Sequence, residues 1–511
     1  MSITSALARL AAVLLAATLS AAGVVAPGGA AASPPSPATA DAEAAPAQRV
    51  APSRGLKVRL VKPAGARVAA VVTGPRGFRK LIRRTTSWPN ARPGRYQVAA
   101  RVAVIFDQRV RPQVRPGTSV RVVRHRPGRR DGRLVTASWR KPAFCARSGT
   151  RAYAWGEGSK GALGTSSSTD RLRPAPVKDL RGVTQVLGSS NTAYALCRNG
   201  TVWAWGSNIY GELGNGKTGD RRFPVRVRGL SGVTQIAARR LGGVALRSDG
   251  TVWSWGWGNY GQLGDGRPFS SSRVARTPVR VAGLSNVTQI AAGGYGAYAL
   301  LSDGTLKAWG NGGLGRLGNN SSTDTSTPVD VDTLASVTKV ASGHDTGYAL
   351  RSNGEVWSWG NDGQGQLGNG APLSNVDQPV LAGMGGATVV DIAAAYAAAY
   401  ALAATGTVRT WGSGRHHDVG FDNGGNPQPA SVSNVTLAEI TDLAGFGYGG
   451  YALSETGVIW GWGDHGAGQA GTGAAPTGPS YTEGVNPPTA LPGGGGFRSI
   501  GAGQFNGYAI R

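Results

Sequence analysis

Two cysteines and two methionines in 511 residues leave little room for sulfur chemistry. Cys145 and Cys197 are too few for a disulfide framework or a four-ligand zinc site. After export one bond between them is open, and so is a pair of inert thiols; the spacing does not choose. Acidic residues are scarce too, 27 Asp and Glu against 54 Lys and Arg. They are dispersed, with no pair placed by local spacing for glycosidic acid–base work. No Gly-x-Ser-x-Gly turn accompanied by triad partners occurs, so the sequence offers no serine-hydrolase signature. After Ala26 no apolar run approaches the ~20 residues of a membrane-spanning helix. The reading that survives is a binding protein and not an enzyme, with no cofactor or metal expected. Glycine and tryptophan are what the chain has in plenty, 81 and 14. That much Gly without a Gly-X-Y period, beside that much Trp, fits short strands and tight turns.

The net charge of +27 invites a nucleic-acid reading until it is located. Residues 53–141 hold 24 Lys and Arg against only Asp107 and Asp131, whereas residues 142–511 hold 28 basic and 23 acidic residues. The excess therefore belongs to a short segment, and no nucleic-acid partner is required. Arg outnumbers Lys 45 to 9, which resembles high-GC actinobacterial proteins and suggests a bacterial chain.

Met1–Arg9 is short and basic, Leu10–Ala26 is an uncharged apolar run, and small residues follow. This is the pattern of a secretory signal, assigned to residues 1–32, with cleavage after Ala22, Ala32 or Ala40 all compatible. The mature chain is then expected to be secreted or surface-associated, monomeric and without a membrane span; a retained membrane anchor is the alternative, since ~17 apolar residues sit at the lower limit for a span. Residues 33–52, rich in Pro and Ala, read as a spacer. Over residues 53–141 apolar positions alternate with basic ones, as in Leu56, Val58, Leu60 and in Tyr96 to Phe106, with Pro-Gly breaks between. That argues a small β-sandwich whose arginines face outward. The bland reading is a solvated face; the sharper one is adhesion to an anionic wall polymer, weakened by salt.

A Trp-Gly pair recurs at Trp155, Trp205, Trp255, Trp309, Trp359, Trp411 and Trp462. Tyr-Ala-Leu or a variant begins at Tyr194, Val244, Tyr298, Tyr348, Tyr400, Tyr451 and Tyr508. Both markers count seven units, about 50 residues apart, a period that means a radial array of repeats. Asn-Gly or Asp-Gly turns (Asn199-Gly200, Asp249-Gly250, Asp303-Gly304, Asn353-Gly354) mark a hairpin in four of the units. A Gly-x-Leu-Gly turn and a Pro-Val strand follow, giving four short strands per unit.

Residues 246–264 almost throughout, and 350–368 nearly as well, match the pattern Leu-x-x-Asp-Gly-x-Val-Trp-x-Trp-Gly-x-Asn-x-x-Gly-Gln-Leu-Gly, which resembles the regulator of chromosome condensation repeat. The resemblance covers residues 142–511 and implies an all-β fold, a seven-bladed β-propeller behind the small β-sandwich. His416-His417-Asp418-Val419-Gly420 and Gly466 to Gly471 replace the Gly-Gln-Leu-Gly turn in the last two Trp-Gly units and put their local geometry in question. The chain stops at Tyr508–Arg511, halfway through a unit, and Ser148–Trp155 supplies the missing half. One blade is therefore expected to join the two ends.

Seven-fold repetition of Trp, Gly and Leu is what packing between blades requires. Function should lie where the units differ. The short loops before each Tyr-Ala-Leu hold Ser190-Asn191, Arg239-Arg240-Leu241, Gly294-Tyr295, His344-Asp345, Tyr396, Phe446 with Tyr448, and Gln504-Phe505. Equivalent loops emerge on one face, and aromatic residues with Arg dominate protein-recognition surfaces. Arg239, Arg240, Tyr295, His344, Asp345, Tyr396, Phe446, Tyr448 and Phe505 are therefore the candidate partner-binding residues. The resemblance implies the same location, since one propeller face docks a protein in this family, as in a nuclear nucleotide exchange factor and a secreted enzyme inhibitor. A protein partner is expected, an extracellular enzyme to be inhibited among the options. A wall-attached adhesion module anchored by residues 53–141 is the alternative, and exchange activity ranks last because fold does not confer function. His416-His417-Asp418 reads as a surface loop rather than a metal site, and Asp265 to Thr277 as an insertion at the rim.

Overall fold

The computed structural model describes residues 145–146, 148–414, 417–420, 437, 439–475 and 484–511, with the backbone alone of eight strands between Leu56 and Ser138 and of one at Gln428–Val435. The expected signal segment and spacer, and His416, lie outside the described residues. The chain divides into two compact units, Met1–Pro142 and Ala143–Arg511. No helix among the described residues is long and apolar enough to cross a membrane.

In the first unit β1 (Leu56–Val61), β2 (Ala66–Gly74), β3 (Phe78–Ile82), β4 (Thr86–Trp88), β5 (Gln97–Ile105), β6 (Gln108–Val110), β7 (Arg121–Val123) and β8 (Arg133–Ser138) form two four-stranded sheets. Their orders are β4-β1-β8-β7 and β3-β2-β5-β6. The alternating stretches noted above become β1 and β5. One pair departs from the antiparallel norm of such folds: β1 and β8 run parallel from Leu56↔Arg133 to Val61↔Ser138. Parallel neighbours need a crossover, and here the intervening chain supplies it by building the other sheet.

The second unit is seven four-stranded antiparallel sheets. Blade 1 runs from Val183 to Arg226, blade 2 from Val233 to Arg280, blade 3 from Val287 to Asp330, blade 4 from Val337 to Leu381, blade 5 from Val389 to Val435 and blade 6 from Ile440 to Ala490. Blade 7 joins the chain ends, in the order Arg171–Arg181, Arg151–Gly156, Asn506–Ile510, Ser499–Ala502. Its central register pairs Gly507 with Trp155, Tyr508 with Ala154 and Ile510 with Ala152. The innermost strands of neighbouring blades lie side by side around a central channel of about 310 Å³.

One seam chemistry closes every gap between blades. Each of the seven repeated Trp side chains is almost fully buried and donates from Nε1 to the carbonyl of the Gly-x-Leu-Gly turn, or its equivalent, in the preceding blade. These bonds measure 2.7–3.2 Å, from Trp205 to Ala162 at 2.7 Å round to Trp155 on Gln469 at 3.0 Å. The same carbonyl accepts the hydroxyl of a repeated Tyr, as Glu212 does from Tyr194 at 2.8 Å and Gln366 from Tyr348 at 2.9 Å. Val244 lacks that hydroxyl, and Ser254 Oγ takes its place on the Gln262 carbonyl at 3.3 Å. A buried indole N–H and phenol O–H each need a partner, and the shared carbonyl satisfies both.

The two degenerate turns keep this geometry. His417 adopts φ +59° where Gly211 and Gly261 have +78° and +81°, and Val419 and Ala470 are buried in the place of Leu. For Asp418 the expectation of a surface loop is corrected by burial: Asp418 is inaccessible, and its carbonyl accepts from Tyr400 and Trp462.

Cys145 and Cys197 are joined, with Cα atoms 5.2 Å apart, so the choice left open by the sequence falls to the bond. It links the approach to blade 7 with the second strand of blade 1 and closes a loop spanning 52 residues. Chain entropy assigns a loop of that size about 4 kcal/mol. Cys145→Ser is expected to lower unfolding free energy by up to that amount in denaturant titration, and reductant should bring the unmodified chain to the same midpoint.

Candidate functional site

Between the first and second strands of each blade the chain makes the short variable loop singled out above. The Trp-Gly pair holds this loop in place. In all seven blades its glycine has φ between +96° and +114°, for example +101° at Gly206. A Cβ there would lie 2.1–2.5 Å from the loop's carbonyl oxygen, such as that of Asn191 or Tyr295. Only glycine tolerates both conditions. The next residue then donates its N–H to that same carbonyl, as Ser207 does to Asn191 at 2.8 Å and Asn361 to Asp345 at 3.0 Å. The loops are also stitched to one another around the channel. Arg240 N–H donates to Gly293, Gly294 to His344, His344 to Tyr396, Tyr396 to Gly447 and Gly447 to Gln504, at 2.9–3.4 Å. Ser190 Oγ donates to Gln504 Oε1 at 3.0 Å. A rim pinned radially and around its circumference is pre-organised, which lowers the ordering cost of binding.

On this rim the rings form a continuous run. Tyr210 meets Trp257 at 6.3 Å, Trp257 meets Tyr295 at 6.1 Å and Tyr260 at 5.3 Å, and Tyr295 meets His344 edge-on at 5.3 Å. His344 stacks on Tyr396 at 4.1 Å, and Tyr396 meets Tyr448 at 5.4 Å. The run crosses blades 1 to 6. Its outer end is the most open, with Tyr210 38 % and Tyr260 42 % exposed and Ile209 beside them at 62 %. Phe269, in the Asp265–Thr277 insertion, is also exposed, while Asp265 is paired to Arg273.

A cluster of charge sits in the middle of the run. Exposed Arg240 hydrogen-bonds the Tyr295 hydroxyl and stands 5.3 Å from the ring centre. Buried Arg316 approaches the same ring at 5.6 Å and pairs with Asp345 at 2.8 Å. His344 Nδ1 lies 2.8 Å from the other oxygen of Asp345. Burial alone would push the Asp345 carboxyl up, but the contacts with His344 and then Arg316 outweigh it and hold it below its usual range. Asp345 therefore stays charged and anchors the neighbours of Tyr295 and Tyr396.

Not every expected residue reaches this surface. Arg239 is 2 % exposed, turned under the rim, donating to the carbonyls of Trp255 at 2.9 Å and Trp257 at 2.6 Å. Burial draws its guanidinium down to about 10. Phe446 is 1 % exposed, its ring 4.8 Å from Tyr451. Both support the face from beneath. Arg239 and Arg240 are adjacent and point oppositely, so Arg240 is the exposed one, while half-buried Tyr448 reaches the run of rings where Phe446 does not. Phe505 is half-buried on the blade 7 loop. Sequence reading missed Trp257, Tyr210, Tyr260 and Arg316. The signal was there for Trp257: it follows Trp-Gly where the other units have Glu157, Ser207, Asn311, Asn361, Ser413 and Asp464.

A sequence profile described as "Regulator of chromosome condensation (RCC1) repeat" matches residues 151–196, 199–238, 249–300, 303–350 and 353–402. A second profile of the same description matches 233–262, 287–316 and 337–366. No curated protein matches by sequence. Among solved structures, human WBSCR16 is similar at TM-score 0.63 and 20% identity, over 71% of this chain and 98% of that one. Prp20p from Saccharomyces cerevisiae, in a structure whose description names its binding to Gsp1p and histones, is similar at TM-score 0.61 and 21% identity, over 72% and 92%. Yeast RCC1 (Prp20) bound to Kap60 gives TM-score 0.61 and 22% identity, over 71% and 89%. At these identities the likeness is one of fold. Repeats, seam and ring closure agree, and the chain carries regulator of chromosome condensation (RCC1) repeats folded as a seven-bladed β-propeller.

Proposed function

We propose that this protein is an exported binding scaffold whose aromatic rim docks a protein partner, in the manner of an extracellular inhibitor. The observation that carries the reading is the unbroken run of rings from Tyr210 to Tyr448 on loops fixed by backbone hydrogen bonds. Large rigid aromatic side chains beside an exposed Arg bury much area for few lost rotamers, which is the chemistry of a hot spot. The repeats support a binding role, since propellers of this kind serve as interaction scaffolds. Gsp1p, histones and Kap60 are partners of the yeast relative and do not transfer at 21–22% identity. The export reading rests on the apolar run Leu10–Ala26 and directs the search outside the cell.

The test is recovery of partners from the native culture fluid by the full chain and by a Trp257/Tyr260/Tyr295/Tyr396→Ala variant. The unmodified chain is expected to retain a specific protein, and the variant to lose it by ~100-fold or more in affinity, as two or more lost hot-spot residues imply. Equal recovery by both, with the variant's thermal unfolding cooperative, rejects the aromatic rim as the docking face.

A further inference from the structure

The propeller is nearly neutral as a whole but not evenly so. Residues 143–281, which hold blades 1 and 2 and the N-terminal half of blade 7, carry 20 Lys and Arg against 7 Asp and Glu. Residues 282–511 carry 8 against 16. The basic excess collects on the outermost strands of three consecutive blades. Arg171 and Arg173 of blade 7, Arg222 and Arg226 of blade 1, and Arg276 and Arg280 of blade 2 are all exposed. None of the six takes part in an ion pair among the described residues.

Register makes the contrast a positional one. Arg226 lies opposite Trp203 and Arg280 opposite Trp253; the residue in the same place on blade 3, opposite Lys307, is Asp330. Arg222 and Arg276 follow the residues paired with Gly206 and Gly256; on blade 4 the residue that follows the partner of Gly360 is Asp377. The stems of Arg222 and Arg276 lie over Gly161 and Gly211 of the preceding blade, but Asp377 takes the same place over Gly315, so the seam accepts either residue and does not explain the switch from Arg to Asp.

We propose that this outer rim of blades 7, 1 and 2 is a second binding surface, separate from the aromatic face, for a flexible phosphodiester chain. Strand addition is disfavoured because Pro174, Pro176, Pro224 and Pro278 interrupt these edge strands and remove the N–H groups that an added strand would need. The rim therefore offers side chains and not backbone. Its outline is convex, which suits a polymer able to bend around it better than a folded partner needing a matched concavity. Guanidinium forks bind phosphate oxygens in pairs, and a phosphodiester keeps one permanent charge per repeat. Residues two apart on a strand project to one side about 7 Å apart, so Arg171 and Arg173 can meet successive charges.

The test uses the full chain and a poly(glycerol phosphate) probe, with affinity measured across salt. Each phosphate neutralised on a flexible chain contributes about 0.7 to the slope of log affinity against log salt, so four lost arginines remove about 3 from it. Arg222/Arg226/Arg276/Arg280→Ser is expected to flatten the slope by that amount with cooperative unfolding retained. A control removing equal charge elsewhere, Arg198/Arg247/Arg351/Arg498→Ser, should leave at least two-thirds of the slope. An unchanged slope in the rim variant, as binding by residues 53–141 alone would give, overturns the proposal. Equal flattening by the control does so too, and so does tighter binding of polyglutamate at matched charge, which would make the ligand a carboxylate polymer.

Discussion

A chain ended at Arg498 is expected to lose the whole propeller and not one blade of it. The deletion removes Ser499–Ala502 and Asn506–Ile510, the inner half of blade 7. Ile500, Tyr508 and Ile510 are buried at 8 %, 0 % and 3 % exposure. At ~2–5 kcal/mol for each large buried side chain removed, the loss rivals the whole margin of ~5–15 kcal/mol that holds a domain folded. It also strips Trp155 of Gly507, its register partner, and leaves Arg151–Gly156 as an open edge. Expression of the truncated chain should give aggregated protein or a species without a cooperative denaturant transition, its tryptophan emission shifted to the red. Recovery of a monomer with a cooperative transition near that of the full chain would show that closure by the two ends is dispensable. Tyr508→Phe is the control: it removes one hydroxyl bonded to Ala162 at 3.2 Å and should cost about 1 kcal/mol.

The second large effect separates two tryptophans that look alike in the sequence. Trp411→Ala is expected to cost about 3–5 kcal/mol, because Trp411 is 1 % exposed and fills the seam between blades 4 and 5. Its ring lies edge-on to Tyr348 at 6.0 Å, and its Nε1 donates to Gln366 at 2.8 Å. Trp257→Ala should cost only about 1–2 kcal/mol, the worth of a few edge-to-face contacts, while weakening the proposed partner interaction. Urea titration of both variants decides the matter, and equal destabilisation would make Trp257 a seam residue.

Much of this was legible because the repeat carries its own reasons. The glycine of each Trp-Gly pair has to reach φ near +100° against a loop carbonyl, so it recurs and betrays the blade count. Asp-Gly and Asn-Gly turns mark hairpins for the same local reason. The candidate face was legible only as a location. That loops before Tyr-Ala-Leu share a face follows from equivalence, but whether a loop residue points out or in depends on strand phase at its base. Arg239 and Arg240 are adjacent, and only Arg240 emerges; Phe446 folds against Tyr451 while Tyr448 reaches the rim. Trp257, Tyr260 and Tyr210 join the run from a different connection of their blades, a meeting that no spacing along the chain announces.

By itself the sequence determined the seven units, the four strands in each and the sharing of one blade by both ends, since these follow from period, turn chemistry and an incomplete final repeat. Tertiary structure alone decided that Cys145 bonds Cys197, that Asp418 is buried, and that rings from six blades touch in one run. The physical reason is range. Backbone conformation and pairing are set within tens of residues by local sterics and hydrogen bonds, whereas burial and ring contact depend on which distant blades the closed circle brings side by side.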